Sequence, residues 1–353
     1  MTRTVLNVLP HAGGGAETFI DCLEPLEGYA QVRMRLSRSR SPLAAAPWLA
    51  VGVPRAARGS AACDLVQAHG DVTAMLCAPV LARRPSIVLT HGLHLLRRAR
   101  GARGRAVRRA LRAAGAGAGR VVCSSRAEAA EVGPVLAPRD RDRIVVVSNT
   151  APPSAPPDPG ARTAVRAELG VEEGELLVLY AGRLEPRKDP LTVVRAATAA
   201  RAAGAPLVLA LAGDGPLAES VAANAGPAVR PLGERGDIPR LLAGADAFVM
   251  PSEREGQSFA VLEAMRAGLA MVVSDGAGNP EAIGAAGDVV RFGDPAGFEA
   301  ALAALAGDPG LLRDRRAAAA RRFADELSPE RFLGRMAALY AAVVDEGPRR
   351  RAG

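Results

Sequence analysis

The sequence predicts an α/β protein of two doubly wound parallel-sheet domains that face a central cleft. Three observations lead there. Short, nearly continuous apolar runs alternate with alanine-rich segments of helical length from one end to the other, the pattern of parallel strands covered on both faces. A stretch with five prolines in eleven residues, APPSAPPDPGA (151–161), divides the chain. Proline cannot donate to a sheet and disfavours helix in the residue before it, so this stretch is a linker. Finally, 353 residues are too many for one ordinary core and enough for two.

In the first half the strand candidates are VLNVLP (5–10), VRMRL (32–36), LVQAHG (65–70), IVLTHG (87–92), VVCSS (121–125) and IVVVSN (144–149). In the second they are LLVLYAG (176–182), LVLALAG (207–213), FVMPS (248–252), AMVVSD (270–275) and VVRF (289–292). The expected organisation is a domain over 1–150, a linker over 151–162, a second domain over 163–327 and a last helix over 328–346. That helix starts at a Ser-Pro-Glu signal and carries an apolar face through Phe332, Met336, Leu339 and Val343. Doubly wound sheets bind ligands beyond the carboxyl ends of their strands. The loops that follow the apolar runs are therefore where function is sought.

Composition narrows the classes. Aromatic content of 3% leaves the cores to Ala, Val and Leu. Four scattered cysteines (Cys22, Cys63, Cys77, Cys123) show no CxxC pair and no zinc-type spacing, as expected of a reduced, cytoplasmic protein. The N-terminal apolar run is too short for a signal peptide, and no run of about 18 apolar residues is present to span a membrane. A formal charge of +8 raises nucleic-acid binding, but aromatic interleaving and zinc-finger or RNP-type motifs are missing. One local excess, RRARGARGRAVRRALR (97–112), holds eight arginines. It reads as a solvated helix, with a patch for an acidic acceptor or an anionic membrane surface as the alternative. The arginine run at 349–351 reads as an unstructured tail.

Of the 45 basic residues, 44 are arginine; the one lysine is Lys188, in GRLEPRKDP (182–190). Arg183 follows a strand candidate directly, and Lys188 precedes a helix that begins near Pro190, so both belong to a loop at a strand's carboxyl end. A compact ammonium and a planar guanidinium fork are different tools. A lone lysine in an arginine-rich chain reads as a position where the larger group does not serve, with chance survival of a single residue as the alternative. Next, PSEREGQSFAVLEAMRAG (251–268) places Glu255 in a loop, Ser258 at a helix N-cap and Glu263 in the second helical turn. Helical rise puts the two carboxylates about 10–12 Å apart, beyond the at most about 9.5 Å of a glycoside-hydrolysing pair. That span suits the two polar ends of a nucleotide-sugar, with helix amides facing the phosphates between them.

GRLEPRK, AGDGP (212–216), ADAFVMPSEREGQSFAVLEAMRAG (245–268) and NPEAIG (279–284), in this order, resemble the nucleotide-diphosphosugar glycosyltransferases of the GT-B fold. The similarity is to the retaining family four, with its E-x7-E signature, and is strongest over 175–290. It implies two Rossmann-like domains and a metal-independent, retaining hexosyl- or glycosyltransferase with no cofactor beyond the donor sugar nucleotide, UDP-linked for preference. It implies that Arg183 and Lys188 neutralise the departing diphosphate, that Glu255 meets donor-sugar hydroxyls and that Glu263 accepts from the ribose. The backbone amides of Gln257, Ser258, Phe259 and Ala260 would serve sugar and phosphate. Where the family commonly reads E-G-F-G, this chain has EGQS, which leaves the sugar open. In the first half the glycine turn LPHAGGGAE (9–17) supplies Gly14 and Gly15 for the diphosphate, with His11 and Glu17 on the acceptor side. His91, in LTHG (89–92), read alone is a structural histidine; the resemblance makes it a catalytic candidate near donor and acceptor. His69 and His94 carry no assignment, and DRD (140–142) reads as a solvated loop rather than a metal-binding D-x-D. The resemblance also implies that the last helix crosses back onto the first domain.

The expected function is transfer of a sugar from a nucleoside-diphosphate donor to a hydroxyl of a small-molecule or lipid-linked acceptor, such as a natural product or an envelope precursor. The protein would be cytoplasmic, with peripheral membrane contact through 97–112 as an option and no nucleic-acid partner. A GT-B nucleotide-sugar epimerase would instead turn over donor without acceptor. A basic membrane-surface or nucleic-acid module would bind with steep salt dependence and ignore sugar nucleotides.

Overall fold

The computed structural model of the protein describes residues 2–11, 14–37, 53–276 and 278–348; the arginine tail at 349–351 lies outside them. The chain divides into two compact units, Met1–Pro152 together with Pro329–Gly353, and Pro153–Ser328. The first holds a six-stranded sheet of β1 (Arg3–Leu9), β2 (Tyr29–Arg35), β3 (Leu65–His69), β4 (Ser86–Leu89), β5 (Arg120–Cys123) and β6 (Ile144–Val146), in the order β2-β1-β3-β4-β5-β6. The second holds β7 (Leu176–Ala181), β8 (Leu207–Ala212), β9 (Val229–Gly233), β10 (Ala247–Met250), β11 (Ala270–Ser274) and β12 (Gly287–Val290), in the order β12-β11-β10-β7-β8-β9. Every pairing is parallel.

The central strands are apolar because both their faces are covered. LVQAH, SIVL, LLVLYA, LVLALA, AFVM and AMVVS are buried at every position, as parallel strands between helical layers must be. The edge strands β2, β6, β9 and β12 keep partly exposed positions. Of the twelve strands among the described residues, eleven overlap the apolar runs read from the sequence. The twelfth, β9, is not among the strand candidates: its run VRPLG contains Pro231. Proline is tolerated there because β9 is the last strand of its sheet, where a missing N–H costs no ladder partner on the outer side. The ladder slips at the same place, between Leu211 and Ala212 of β8.

The loop after β7 is set by glycines of AGDGP. A Cβ on Gly213, whose φ is 150°, would sit 1.9 Å from the carbonyl oxygen of Gly182, and one on Gly215 would sit 2.5 Å from that of Leu184. Only hydrogen at those positions lets the loops after β7 and β8 close on each other through Leu184 N–H to Asp214 O, 2.9 Å. Gly213→Ala is therefore expected to cost about 3 kcal/mol or more, from strain plus backbone overlap. A lowered urea midpoint checks it.

Three local expectations change. DRD is solvated only in part: Arg141 and Asp142 are exposed, but Pro138–Arg143 forms a 3₁₀ turn in which Asp140 is 1% exposed and Arg143 reaches the carbonyls of Ala116 and Ala118. The turn points Asp140 inward, where Arg143 lies 3.6 Å away. The arginine stretch is two helices, His94–Arg98 and Gly101–Gly117, joined through extended Ala99 and Arg100. The longer one buries Gly104, Val107, Leu111 and Ala114 and turns Arg103, Arg105, Arg108 and Arg109 outward. Arg97 is committed to Glu131 at 2.8 Å. Third, helix Ala161–Leu169 begins just inside the stretch read as linker.

The last helix, Pro329–Glu346, belongs to the first unit by its contacts. Phe332, Met336, Leu339 and Val343 are buried as the apolar periodicity requires, and Tyr340 with them. Phe332 meets Phe19 edge-on at 5.3 Å. The four cysteines are buried, and none of them is in a disulfide. Among the described residues no helix is long and apolar enough to cross a membrane.

Candidate functional site

In the second unit the chain runs from β7 outward to β8 and β9, then returns to the other side of β7 as β10. The crevice beyond the carboxyl ends of β7 and β10 is the switch point where doubly wound sheets take ligands. Both sequence motifs sit on it. After β7, Tyr180, fully buried, gives its hydroxyl to the carbonyl of Arg183 at 2.9 Å and so fixes the start of the loop. The loop ends in a 3₁₀ turn, Pro186–Lys188, followed by Asp189 at φ 45° and the helix Pro190–Ala202. Glu253 N–H donates to the carbonyl of Arg187 at 2.8 Å, which ties this loop to the one after β10.

That tie brings the lysine to the first glutamate. Lys188 Nζ lies 2.5 Å from Glu255 Oε1, and each side chain is 12% exposed. Burial alone would push the Glu255 carboxyl up; the ammonium of Lys188 and the guanidinium of Arg187 overcome that and hold it below the usual range. Arg183 is not part of this pair. Its side chain is 60% exposed and its Nε is 3.6 Å from Glu185.

Ser258 occupies the N-cap of the helix Phe259–Arg266, as the spacing predicts, but its hydroxyl caps nothing. Instead its N–H donates to Asn279 Oδ1 at 3.3 Å, and Gly278 N–H donates to the carbonyl of Glu255 at 3.1 Å. Asn279 is wholly buried, and its Nδ2 has no hydrogen-bond partner among the described residues. The amides at the start of the helix are thus not covered by the cap side chain, and an anion is favoured there. Gln257 and Ser258 are buried; Phe259 and Ala260 are half-buried. Glu263 is half-buried in the second turn, and burial raises its carboxyl against a partial offset from Arg266.

In the first unit the switch point lies between β1 and β3. Gly14, at φ 87°, is the N-cap of the helix Gly15–Leu23, and its carbonyl accepts from Glu17 N–H at 3.0 Å. Glu17 pairs with Arg35 at 2.6 Å, so its carboxylate is committed to the neighbouring strand rather than presented alone. His11 is half-buried beside the turn. His91 leads a run of left-handed backbone, φ 44° there, 90° at Gly92 and 50° at Leu93. Such a run persists only where its surroundings hold it. Two buried carboxylates do so: Glu128 accepts from Gly92 N–H at 2.6 Å, and Asp71 accepts from the N–H groups of Leu95 and Leu96 at 2.7 and 2.9 Å. His91 also borders a small cavity with Phe19, Thr90, Ser124 and Asn149.

Two family models match this chain: one described as glycosyl transferases group 1 over residues 175–308, and one as glycosyltransferase family 4 over residues 11–154. The chain belongs to glycosyltransferase family 4. It is similar to the D-inositol 3-phosphate glycosyltransferase of Nocardia farcinica, 34% identical over 49% of this chain and 42% of that protein. It is also similar to the alpha-maltose-1-phosphate synthase of Mycolicibacterium smegmatis, 31% identical over 54% of each. The chain thus spans about half the length of the curated relatives it matches. Among solved structures, Anabaena HepE in complex with UDP-glucose superposes with a TM-score of 0.81 at 18% identity, covering 96% of this chain and all of that one. WaaG, a glycosyltransferase of lipopolysaccharide biosynthesis, gives 0.70 at 17%, over 95% and 99%. At those identities the likeness establishes the GT-B fold.

In this family-4 chain, sequence reasoning missed four polar residues that organise the candidate loops: His69, Asp71, Glu128 and Asn279. Glu128 had a local signal, since Ser125 and Glu128 form an S-x-x-E helix start and Ser125 Oγ accepts from Glu128 N–H at 3.1 Å. Asn279 opens the NPEAIG motif but its contact with the Ser258 amide is not legible there, and His69 and Asp71 had no local signal because their partners are distant in sequence. His69 and His91 carry a pH consequence. Burial, then the neighbouring His91, depresses His69 well below the usual 6.5, and burial, then His94, lowers His91 from 6.5 to about 4. The unfolded chain therefore binds protons below 6.5 that the folded chain refuses, so their contribution is complete above that pH and is lost as pH falls toward 4. Melting temperature is expected to fall across that window, and to fall less in a His69→Asn variant measured beside the wild type.

Proposed function

We propose that this protein transfers a glycosyl unit from a nucleoside-diphosphate sugar, UDP-linked, to an acceptor hydroxyl, with retention at the anomeric carbon. The observation that carries the reading is the convergence at one switch point of Lys188, Glu255 and the start of the helix Phe259–Arg266. Family membership supports the reaction class. A UDP donor is supported by a structural neighbour, HepE, that is described in complexes with UDP and UDP-glucose; the GDP-mannose-dependent mannosyltransferase of Mycolicibacterium smegmatis, 32% identical over 46% of this chain, makes GDP the alternative base.

In this reading, Lys188 and the exposed fork of Arg183 take up charge as the diphosphate departs, and the amides of Gln257 to Ala260 hold its oxygens. Glu255, kept ionised by Lys188, accepts from donor-sugar hydroxyls, and Glu263 accepts from the ribose. Gly14 and Gly15 offer backbone to the phosphates, His91 meets the reacting sugar, and His11 lies toward the acceptor. No step calls for a metal, because fixed cations and helix amides supply the positive field. The phosphate oxygen that leaves the anomeric carbon takes the acceptor's proton as the new glycosidic bond forms on the same face. Closure of the site limits hydrolysis.

A thermal-shift panel of UDP, GDP, ADP and dTDP sugars tests the donor, since a ligand that binds only the folded state raises the melting temperature. Stabilisation by one sugar nucleotide, followed by acceptor-dependent product, is the expected outcome. Donor conversion without acceptor points to an epimerase, and no stabilisation by any of them overturns the reading.

A further inference from the structure

A chain of buried polar side chains runs through the first unit from its last helix to His91. Tyr340 Oη donates to Gln67 Oε1 at 2.8 Å, and Gln67 Nε2 donates to Asn7 Oδ1 at 2.8 Å. His69 Nε2 lies 2.9 Å from the same Asn7 Oδ1, and His69 Nδ1 lies 2.9 Å from His91 Nε2. Asn7, Gln67, His69 and Tyr340 are each 0% exposed, so the direction of every hydrogen bond is dictated by partners rather than by water.

Tyr340 sets that direction. Its hydroxyl proton has one acceptor among the described residues, Gln67 Oε1. The Gln67 amide nitrogen must then face Asn7, which presents Oδ1 to it and sends Nδ2 to Gln31 Oε1 at 2.9 Å and toward the Val5 carbonyl at 3.5 Å. An oxygen at Asn7 Oδ1 requires a proton on His69 Nε2. Gln67 Nε2 and His69 Nε2 are 3.2 Å apart because both donate to that one oxygen. His69 Nδ1 is then a lone pair, and the 2.9 Å contact makes His91 Nε2 the donor. Reversing every amide would leave the Tyr340 proton without an acceptor and set Asn7 oxygen against the Val5 carbonyl. The cost of the stated direction is one buried atom without a partner among the described residues, Gln31 Nε2.

The two imidazoles are nearly coplanar, 9° apart with centroids at 5.1 Å, and Phe19 closes edge-on against both, at 6.0 Å from His69 and 5.3 Å from His91. His91 therefore has no room to rotate freely. Its Nδ1 makes no hydrogen bond among the described residues, yet it is not among their sealed, unpartnered polar atoms.

We propose that His69 is a positioning residue that holds His91 as its Nε2–H tautomer, so that His91 offers a substrate hydroxyl the lone pair of Nδ1. Toward substrate, His91 then accepts a hydrogen bond and donates none, its one N–H being given to His69, and the last helix, through Tyr340, helps to set this chemistry. The consequence for substrate rests on the glycosyl-transfer reading; the tautomer does not.

Histidine-labelled full-length protein tests it directly, because a long-range proton–nitrogen correlation spectrum reports which ring nitrogen carries the proton, and the chain has only four histidines. With His91→Asn and His69→Asn used for assignment, neutral Nε2–H rings at both positions near about pH 7 are expected. A proton on Nδ1 of either ring overturns the proposal. The second measurement is turnover with the donor found in the thermal-shift panel. His69→Asn keeps an acceptor near the Nδ1 position, whereas His69→Leu removes it. The asparagine variant is expected within about threefold of wild type, and the leucine variant to lose about 10- to 100-fold in kcat with little change in KM. Equal loss in both folded variants overturns the positioning role. If the leucine variant does not fold, the wild-type spectrum and the asparagine variant still decide it. A wild-type spectrum as expected from a protein that turns over no sugar nucleotide sinks the glycosyl-transfer reading and leaves the tautomer assignment standing.

Discussion

Lys188→Ala is expected to lower turnover about 100- to 1,000-fold, the loss that follows removal of one preorganised charge-stabilising group from a transfer site. The side chain is nearly buried, its Nζ is 2.5 Å from Glu255 Oε1, and both residues follow the adjacent strands β7 and β10 at the switch point proposed above to take the diphosphate. Stability should also fall, by about 1–3 kcal/mol, because the Glu255 carboxylate is left without its ammonium, although Arg187 still acts on it. The two effects separate in the double variant with Glu255→Gln: neutralising the orphaned carboxylate restores the denaturation midpoint and leaves turnover low. Lys188→Arg keeps the charge but puts a planar fork in a space shaped for an ammonium, and is expected to lose about 10- to 100-fold. Single-turnover rates beside urea midpoints check all three. Full turnover in Lys188→Ala with only a stability loss would show the lysine to be a structural counter-ion.

Asp246→Ala should show the opposite split, losing about 3–5 kcal/mol of stability with little change in kcat of the folded fraction. Asp246 stands just before β10, at the end of the sheet away from the candidate loops, and is 4% exposed. It accepts from Arg162 Nη2 at 2.6 Å, Arg166 Nη1 at 2.8 Å and Leu177 N–H at 2.9 Å, with Arg316 at 3.6 Å. It thereby ties helix Ala161–Leu169 and helix Pro309–Glu326 to the start of β7. Arg162 is half-exposed, so its share is screened and small; most of the loss comes from Arg166, the strand amide and the guanidinium groups left unpaired. Against a typical total of about 5–15 kcal/mol, the loss is large enough to read by urea denaturation. A shift below about 1 kcal/mol would overturn the account.

These two residues also mark how far the sequence could be read. Lys188 stood out because it is the only lysine among 45 basic residues; that Glu255, 67 positions away, would meet it did not follow from the spacing of either motif. Asp246 was invisible, one acid in an apolar run. The strands were legible wherever both faces are covered, because burial leaves its trace in every residue of the run. β9 escaped because an edge strand tolerates Pro231 and partial exposure, and so carries a mixed signal. DRD looked solvated because neighbouring arginines suggested water, whereas the 3₁₀ turn directs Asp140 inward.

By itself, the amino-acid sequence determined the α/β class, eleven of the strands, the proline-rich break and the loops that carry Arg183, Lys188 and Glu255, because those features are local: periodicity, breakers and motifs act over a few residues. Tertiary structure alone decided which side chains meet, as in Lys188 with Glu255, Asn279 with the amide of Ser258, and Asp71 and Glu128 with the left-handed run after β4. Those partners are brought within hydrogen-bonding distance by the crossing order of the parallel strands, and a buried polar atom leaves no periodic mark in the chain to announce its partner.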